Sequence, residues 1–326
     1  MVLPMRAIVV HALGGPEVLT LRPHPVPQPG PGEVRVRLHA IGVNFSDTER
    51  RRGVYDAPTL PWIPGNEAAG VVDALGPGVD PAWLGRRVAF WAMRTSGAYA
   101  EYTVVTAAAL FALRDDLDFA VGAALPVQGL TAYGLSHVAT HMEAGQTALV
   151  HAAAGGVGAL LVQLLRKRGV RVFGTASTEA KREILRGFGV LPLAYGPTLP
   201  GLLHDATAGR GVDVVFDSVG RTTREESFAA LARYGHLVYY GEASGPPAPF
   251  QVDDLFGRCL QVSAFWLGAD PPELWDNARR DLQSWVADGA LQITLGQSFP
   301  LEAAPEAHRR LEGRETHGKL LLLPAP

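Results

Sequence analysis

The feature that most constrains the fold is an alternation of apolar runs and helix-like segments between residues 118 and 241. The runs have the length and composition of buried strands, and the segments between them have the length of ordinary helices. The strand candidates are residues 147–151, 170–174, 190–195, 212–216 and 236–241. The helix candidates are residues 156–168, 178–188 and 222–234. Because parallel strands are joined by crossover helices, this order predicts a doubly wound parallel α/β sheet.

The flanking residues have a different pattern. Residues 33–43 and 97–105 are alternating segments bounded by proline and glycine, which indicates strands of a β-rich domain. A helix candidate at 272–288 and an apolar strand at 319–323 follow the α/β region, and we expect this tail to rejoin the β-rich domain. A chain of 326 residues is longer than one hydrophobic core usually supports. We predict a β-rich domain of residues 1–122 and 267–326 and an α/β domain of residues 123–266.

Composition narrows the class of partner. With 47% hydrophobic and 19% charged residues, the chain has the composition of a globular protein, and a net charge of −3 gives no reason to expect nucleic acid or an anionic membrane. Cys259 is the single cysteine, which excludes an intrachain disulfide and indicates a reducing compartment. No apolar stretch has transmembrane length, and no signal sequence begins the chain. We therefore expect a cytoplasmic protein with a small-molecule partner.

A glycine-rich segment follows the first strand of the α/β region, where a helix begins. In dinucleotide-binding turns, small residues allow a tight turn, a close approach of the backbone to pyrophosphate, and contact between helix and strand. Ala153, Gly155 and Gly158 hold those three places. Backbone N–H groups and the helix dipole at such a site attract phosphate. The predicted nucleotide contacts are Ala153, Ala154, Gly155, Gly156, Val157 and Gly158.

The end of the second strand indicates which dinucleotide binds. Sites that prefer NAD carry an acidic residue there to hold the ribose hydroxyls, whereas this chain has the small residues Thr175 and Ser177. They leave room for a 2′-phosphate, and Lys181 with Arg182 would supply positive charge one helical turn later. NADPH is therefore predicted. The alternative is that the two basic residues form a solvated helix face.

Four motifs resemble the quinone oxidoreductase (zeta-crystallin) branch of the medium-chain dehydrogenase/reductase family. They are GVNFSD at 42–47, GNEAAG at 65–70, HAAAGGVG at 151–158 and DVVFDSVG at 213–220. The resemblance extends over essentially the whole chain, including the Gly-Lys pair before the terminal strand. It implies a GroES-like catalytic domain, a Rossmann domain, a substrate cleft between them, and a homodimer.

The resemblance also bears on metal. Zinc-containing relatives place ligands at three points, which here are Asn44, Asn66 and either Val127 or Gln128. None of these is an ordinary zinc ligand, and the four-cysteine structural zinc loop of those relatives is absent from the sequence. We therefore predict no metal site. Hydride transfer without a Lewis acid suits electron-poor acceptors, such as a quinone or an α,β-unsaturated carbonyl.

The resemblance places several polar residues near the nicotinamide. Asn44 would donate a hydrogen bond to a substrate oxygen, Ser46 or Tyr55 would pass a proton, and two carboxylates would hold neighbouring groups in place. The catalytic candidates are Asn44, Ser46, Asp47, Tyr55, Glu67 and Thr131. Where relatives often carry a tyrosine, this chain has Glu49, which leaves the preference for flat aromatic substrates open.

The resemblance extends the cofactor site as well. Tyr195 would stack on the adenine or bond to the 2′-phosphate, and Arg314 would reach the same phosphate. Ser218, Val219 and Gly220 follow a strand and would lie along the ribose, with Gly241 in the equivalent place one strand later. Together these assignments predict an NADPH-dependent quinone oxidoreductase. The alternatives are an alkenal or enone reductase with the same cofactor, and a crystallin-like nucleotide-binding protein without catalysis.

Overall fold

The computed structural model describes residues 4–54, 56–92, 97–269 and 272–324. The chain divides into two compact units. The β-rich unit comprises Met1–Leu130 and Asp270–Pro326, and the α/β unit comprises Thr131–Ala269. Within the described residues, no helix is long and apolar enough to cross a membrane.

The strands and helices are numbered in chain order. The strands are β1 (Pro4–Val9), β2 (Thr20–Pro25), β3 (Glu33–Val43), β4 (Glu67–Leu75), β5 (Arg87–Trp91), β6 (Tyr102–Thr106), β7 (Leu110–Ala112), β8 (Thr147–Val150), β9 (Arg171–Thr175), β10 (Leu191–Leu193), β11 (Val212–Asp217), β12 (Leu231–Tyr239), β13 (Gln261–Ala264), β14 (Leu295–Pro300) and β15 (Lys319–Leu323). The α-helices are α1 (Phe45–Arg52), α2 (Phe119–Gly122), α3 (Leu130–His137), α4 (Gly156–Lys167), α5 (Glu179–Gly187), α6 (Leu199–Ala206), α7 (Arg224–Ala230), α8 (Asp253–Phe256), α9 (Asp276–Ala287) and α10 (Ala304–Glu312).

The α/β unit contains a six-stranded sheet in the order β10-β9-β8-β11-β12-β13. Its strand pairs are all parallel, as the alternation of strands and helices requires. Leu149, Phe173, Val215 and Leu237 from four adjacent strands lie in one buried cluster. The predicted doubly wound α/β class is confirmed, with the glycine-rich segment at the carboxyl end of the central strand β8.

One element differs from the sequence pattern. Residues 222–234 read as a single helix, but α7 ends at Ala230 and β12 begins at Leu231. Leu231 pairs with Val212 of β11, and Tyr234 takes a left-handed conformation with φ of 64°. The apolar residues that continue the helical period are thus used for sheet pairing, because tertiary contacts outweigh local propensity.

The β-rich unit is built on a seven-stranded sheet in the order β14-β15-β3-β4-β5-β7, with β6 also paired to β3. Val34, Val36, Ile41, Phe90 and Leu322 lie in its buried core. The terminal strand β15 pairs antiparallel with β3 and places Leu320 opposite Val43. This pairing brings the end of the chain beside the beginning of α1, where the predicted catalytic residues lie.

Candidate active site and nucleotide site

The glycine-rich turn lies between β8 and α4. Ala152 is left-handed with φ of 51°, and the N–H of Gly155 donates to its carbonyl oxygen at 2.9 Å. A Cβ atom on Gly158 would lie 2.5 Å from Ala152 O and 2.7 Å from Ala153 Cα, so the backbone leaves no room for a side chain. Since α4 begins at Gly156, its first N–H groups lack partners within the helix and can bind phosphate oxygens. The turn therefore fits a dinucleotide pyrophosphate.

Tyr195 contacts this turn through a hydrogen bond and a ring contact. Its hydroxyl accepts the N–H of Ala152 at 2.9 Å, and its ring stacks on that of His151 with centroids 5.9 Å apart. The side chain therefore lies against the predicted pyrophosphate site. The predicted contact of Tyr195 with adenine or the 2′-phosphate stays a prediction.

The residues predicted to select NADPH lie at and after the end of β9. Thr175 is fully buried and its hydroxyl contacts His151 Nδ1 at 3.0 Å, whereas Ser177 is exposed. Arg182 donates to the Glu179 carboxylate at 2.8 Å and to the carbonyl oxygen of Ala176 at 3.1 Å. These bonds occupy Arg182 at the start of α5, and whether it also meets a 2′-phosphate stays a prediction. Lys181 is half-buried on the first turn of α5, and its role at a 2′-phosphate stays a prediction.

Asp217, which the sequence did not single out, organises the turn that follows β11. It is fully buried, and its Oδ1 accepts the N–H groups of Val219 at 2.7 Å and Gly220 at 3.0 Å. Its Oδ2 accepts the hydroxyls of Thr223 and Ser227, each at 2.8 Å. The carboxylate thus sets the backbone of the turn predicted to lie along the ribose. An Asp ending a strand directly before Ser-Val-Gly is the local signal for this role.

His151 joins the Asp217 turn to the glycine-rich turn. Ser227 uses its one hydroxyl hydrogen on Asp217, so it accepts from His151 Nε2 at 3.1 Å. His151 Nδ1 is then the acceptor for the Thr175 hydroxyl. Burial lowers the pKa of His151, partly offset by Asp217, and keeps the ring neutral as this pattern requires. The ends of β8, β9 and β11 are therefore connected by one buried hydrogen-bond network.

In the β-rich unit, Asn44, Glu67 and Lys319 form a buried cluster where β3, β4 and β15 meet. Asn44 Nδ2 donates to Glu67 Oε1 at 2.8 Å, and Lys319 Nζ donates to Asn44 Oδ1 at 2.9 Å and also to Glu67 Oε1. Glu67 Oε2 accepts the N–H of Val127 at 2.7 Å. Lys319 and Glu67 have no exposed side-chain surface. Sequence reasoning missed Lys319 as a site residue, because it lies 275 positions from Asn44.

Asp47 holds the start of α1 in place. Its carboxylate accepts the N–H of Asn44 at 2.9 Å, the amide of Asn66 at 3.0 Å and the hydroxyl of Tyr99 at 3.3 Å. The first of these bonds caps the helix, because Asp47 occupies its third position. Burial raises the pKa of Asp47 to about 6, although the backbone bond from Asn44 and the charge of Lys319 oppose the shift.

A directed chain of hydrogen bonds leads from Asp47 to Arg51. An arginine only donates, so the contact of 3.0 Å between Arg51 Nη1 and His308 Nδ1 makes that nitrogen the acceptor. His308 Nε2 must then carry the hydrogen and donate to Tyr99 at 2.9 Å, and Tyr99 donates to Asp47. Burial and the Arg51 charge lower the pKa of His308 to about 3. Moving a proton along these hydrogen bonds would place an N–H of His308 against an N–H of Arg51, which is repulsive. These hydrogen bonds therefore hold the side chains in position and do not relay a proton.

The positions that match zinc ligands are used for internal hydrogen bonds. The Asn66 amide accepts from Arg50 at 3.2 Å and donates to Asp47, while the Asn44 amide is held by Glu67 and Lys319. Neutral amides that are already bonded in this way make poor zinc ligands. Zinc-free chemistry nevertheless stays a prediction.

The remaining predicted residues have simpler surroundings. Ser46 is half-buried on the first turn of α1, and Glu49 is half-buried on the same helix. Thr131 is buried at the beginning of the α/β unit, and Arg314 is exposed with φ of 58°. A Cβ on Gly241 would lie 3.1 Å from the carbonyl oxygen of Ser218, so the two turns are closely packed. Tyr55 lies outside the described residues.

Two family models and several individual proteins are similar to this chain. Residues 30–115 match the alcohol dehydrogenase GroES-like domain, and residues 197–322 match a zinc-binding dehydrogenase model. A probable quinone oxidoreductase of Schizosaccharomyces pombe is 41% identical over 285 residues, which is 86% of each chain. A 2-haloacrylate reductase of Burkholderia sp. is 36% identical over 98% of each chain.

A solved structure extends the comparison to the fold. The quinone oxidoreductase of Escherichia coli complexed with NADPH superimposes with a TM-score of 0.93 at 34% identity, covering 98% of this chain and all of that one. Identity at this level over nearly the whole length, together with the same fold, is more than a shared architecture would give. The chain therefore belongs to the quinone oxidoreductase branch of the medium-chain dehydrogenase/reductase family, with a GroES-like domain and a Rossmann domain.

Proposed function

We propose that this protein is an NADPH-dependent quinone oxidoreductase that works without a metal. The observation that carries the proposal is the turn at Gly158, where any side chain would collide with backbone and the first N–H groups of α4 remain for a phosphate. Relatives named quinone oxidoreductase, one of them solved with NADPH, support the same cofactor and acceptor class here.

Different groups of the chain bind different parts of NADPH. Backbone N–H groups of residues 156–158, at the first turn of α4, bind the pyrophosphate. The turn set by Asp217 holds the ribose through Ser218 and Val219. Lys181 and Tyr195 take the 2′-phosphate end. When bound, the dihydronicotinamide supplies a hydride.

The acceptor side needs one hydrogen bond and one proton. A quinone that takes up a hydride becomes a hydroquinone anion, and one further proton gives the hydroquinone. Asn44 donates to the oxygen on which negative charge develops, and Ser46 or Tyr55 delivers the proton. The bonded amides of Asn44 and Asn66 support metal-free chemistry, because the oxygen of each already accepts from a cation and a neutral amide is not an ordinary zinc ligand.

An enone or alkenal reductase is the second candidate. It would use the same cofactor and hydride on a conjugated carbon–carbon double bond. The relatives include a 2-haloacrylate reductase, although a haloacrylate is neither an enone nor an alkenal. Glu49, in place of an aromatic ring, removes one reason for preferring a flat quinone.

The test is the loss of NADPH absorbance with purified protein and a panel of acceptors. We expect turnover with benzoquinone or naphthoquinone, and slower turnover with acrolein and 2-chloroacrylate. Turnover with the last two only would replace the proposal with the enone reductase. Tight NADPH binding without reduction of any acceptor would instead indicate a crystallin-like role.

We further propose a cytoplasmic homodimer. The single cysteine supports a reducing compartment such as the cytoplasm, and the net charge of −3 gives no reason to expect an anionic membrane as partner. Membership of the family supports the dimer.

A further inference from the structure

Lys319 forms a fully buried ion pair with Glu67 inside the β-rich unit, and the proposed function assigns it no part. Its ammonium donates to the carbonyl oxygen of Val43 at 3.2 Å, to Asn44 Oδ1 at 2.9 Å and to Glu67 Oε1. An ammonium has three N–H groups, so each of them has an acceptor. One of the three acceptors is the side chain proposed to contact the substrate oxygen.

The cluster determines how the Asn44 amide is oriented. Lys319 can only donate, so it takes the oxygen end of the amide, and ionised Glu67 can only accept, so it takes the nitrogen end. Turning the amide over would place N–H groups against the ammonium and an oxygen against the carboxylate. Both contacts would be repulsive, and the amide is therefore held in one orientation.

Stability alone does not account for such a pair. Burying two charges costs so much desolvation that an apolar or neutral pair of similar volume is often equally or more stabilising. Here the pair is fully buried, and both charges converge on the same amide. This convergence points to a role for the charges in the site itself.

The effect on Asn44 follows from the direction of the hydrogen bonds. An ammonium on the amide oxygen draws electron density from the nitrogen, which strengthens the N–H groups as donors. Glu67 takes one of the two N–H groups, and in the described part of the chain no hydrogen bond uses the second. The second N–H is the one available for a substrate oxygen.

We propose that Lys319 is a positioning residue for hydride transfer, which orients and polarises the Asn44 amide so that its second N–H stabilises charge on the acceptor oxygen. This rests on the proposed function. Lys319 acts through Asn44 and does not itself touch the substrate.

A double-mutant cycle on kcat tests whether Lys319 acts through Asn44. Because Lys319→Met alone leaves the Glu67 charge buried without its partner, the cycle uses Lys319→Met/Glu67→Gln, with and without Asn44→Ala. We expect the charge-free pair to lower kcat by about 10- to 100-fold, with the Kd for NADPH unchanged. This is less than the roughly 100- to 1000-fold cost of removing an oxyanion donor, because Asn44 itself remains. In the Asn44→Ala background, Lys319→Met/Glu67→Gln should cause little further loss of kcat. Additive losses, or an unchanged kcat, would overturn the proposal.

A second readout does not depend on turnover. The side-chain amide resonance of Asn44, assigned by its loss in Asn44→Ala, should shift in Lys319→Met/Glu67→Gln. Lys167→Met, the same change at an exposed lysine, should leave it in place. If the unaltered protein reduced no acceptor, the proposed function would fail while this shift still tested the positioning. An unmoved resonance would rule the positioning out.

Discussion

At the scale of single residues, two buried groups of the β-rich unit have pKa values displaced in opposite ways. Burial raises the pKa of Asp47 to about 6 and lowers that of His308 to about 3. Tyr99 lies between them, accepting from His308 and donating to Asp47. The two groups therefore belong to one network but respond differently to acid.

The linkage between protonation and stability has opposite signs for the two groups. The stabilisation from His308 is complete above its ordinary pKa of 6.5 and is lost as pH falls towards about 3. The stabilisation from Asp47 is complete below its ordinary pKa of 3.8 and is lost as pH rises through about 6. Between the ordinary pKa of Asp47 and its raised value, the two effects oppose each other.

We predict that His308→Gln, which keeps an acceptor for Arg51 and a donor for Tyr99, changes the pH dependence of stability. Relative to the unaltered protein, the free energy of unfolding of the variant should rise by about 1.4 kcal/mol for each unit by which the pH falls from 6.5 to 4. The reason is that the unaltered protein takes up a proton on His308 when it unfolds, and the variant does not. Unfolding midpoints across this range measure the effect. His141→Gln, at an exposed position, is the matched control. Parallel curves for His308→Gln and the unaltered protein would contradict the prediction.

At the scale of elements, the proposed nucleotide site depends on how closely β8 and α4 approach each other. A Cβ atom on Gly158 would lie 2.5 Å from the carbonyl oxygen of Ala152. A Cβ atom on Gly201 of α6 would meet nothing within 4 Å. The first glycine is thus required by packing, and the second is an ordinary helix position where alanine is favoured.

The variant Gly158→Ala should therefore weaken NADPH binding by at least about tenfold, because the turn must open to admit the methyl group. Gly201→Ala is the control, and it should bind NADPH normally while unfolding at a slightly higher temperature. Titration of NADPH fluorescence measures the Kd of both variants. Unchanged affinity in Gly158→Ala would mean that the turn does not contact the cofactor.

At the scale of the whole molecule, the question is whether the protein holds zinc. One of the matched family models is described as a zinc-binding dehydrogenase. We predict that the purified protein contains far less than one zinc per chain, because Asn44 and Asn66 already use their amides internally. Elemental analysis after dialysis checks this. Stoichiometric zinc that resists dialysis would overturn the metal-free proposal.

Much of the fold of the α/β unit can be predicted from the sequence alone. Alternating strands and helices determine a parallel α/β sheet, because crossover connections and apolar strands are local properties of the chain. The strand ending at Val150 and the small residues of 152–158 likewise predict a nucleotide turn without any long-range contact. These predictions need only neighbouring residues.

Contacts between distant residues could be decided only by the tertiary structure. Lys319 meets Glu67 from 252 positions away, and His308 meets Tyr99 from 209 positions away. No periodicity or motif brings these pairs together, since they depend on β15 pairing with β3 and on α10 packing in the same unit. The sequence by itself therefore determined the fold class and predicted the position of the nucleotide turn. The buried charges that hold Asn44 arise from tertiary packing, because electrostatic contacts depend on distance in space and not along the chain.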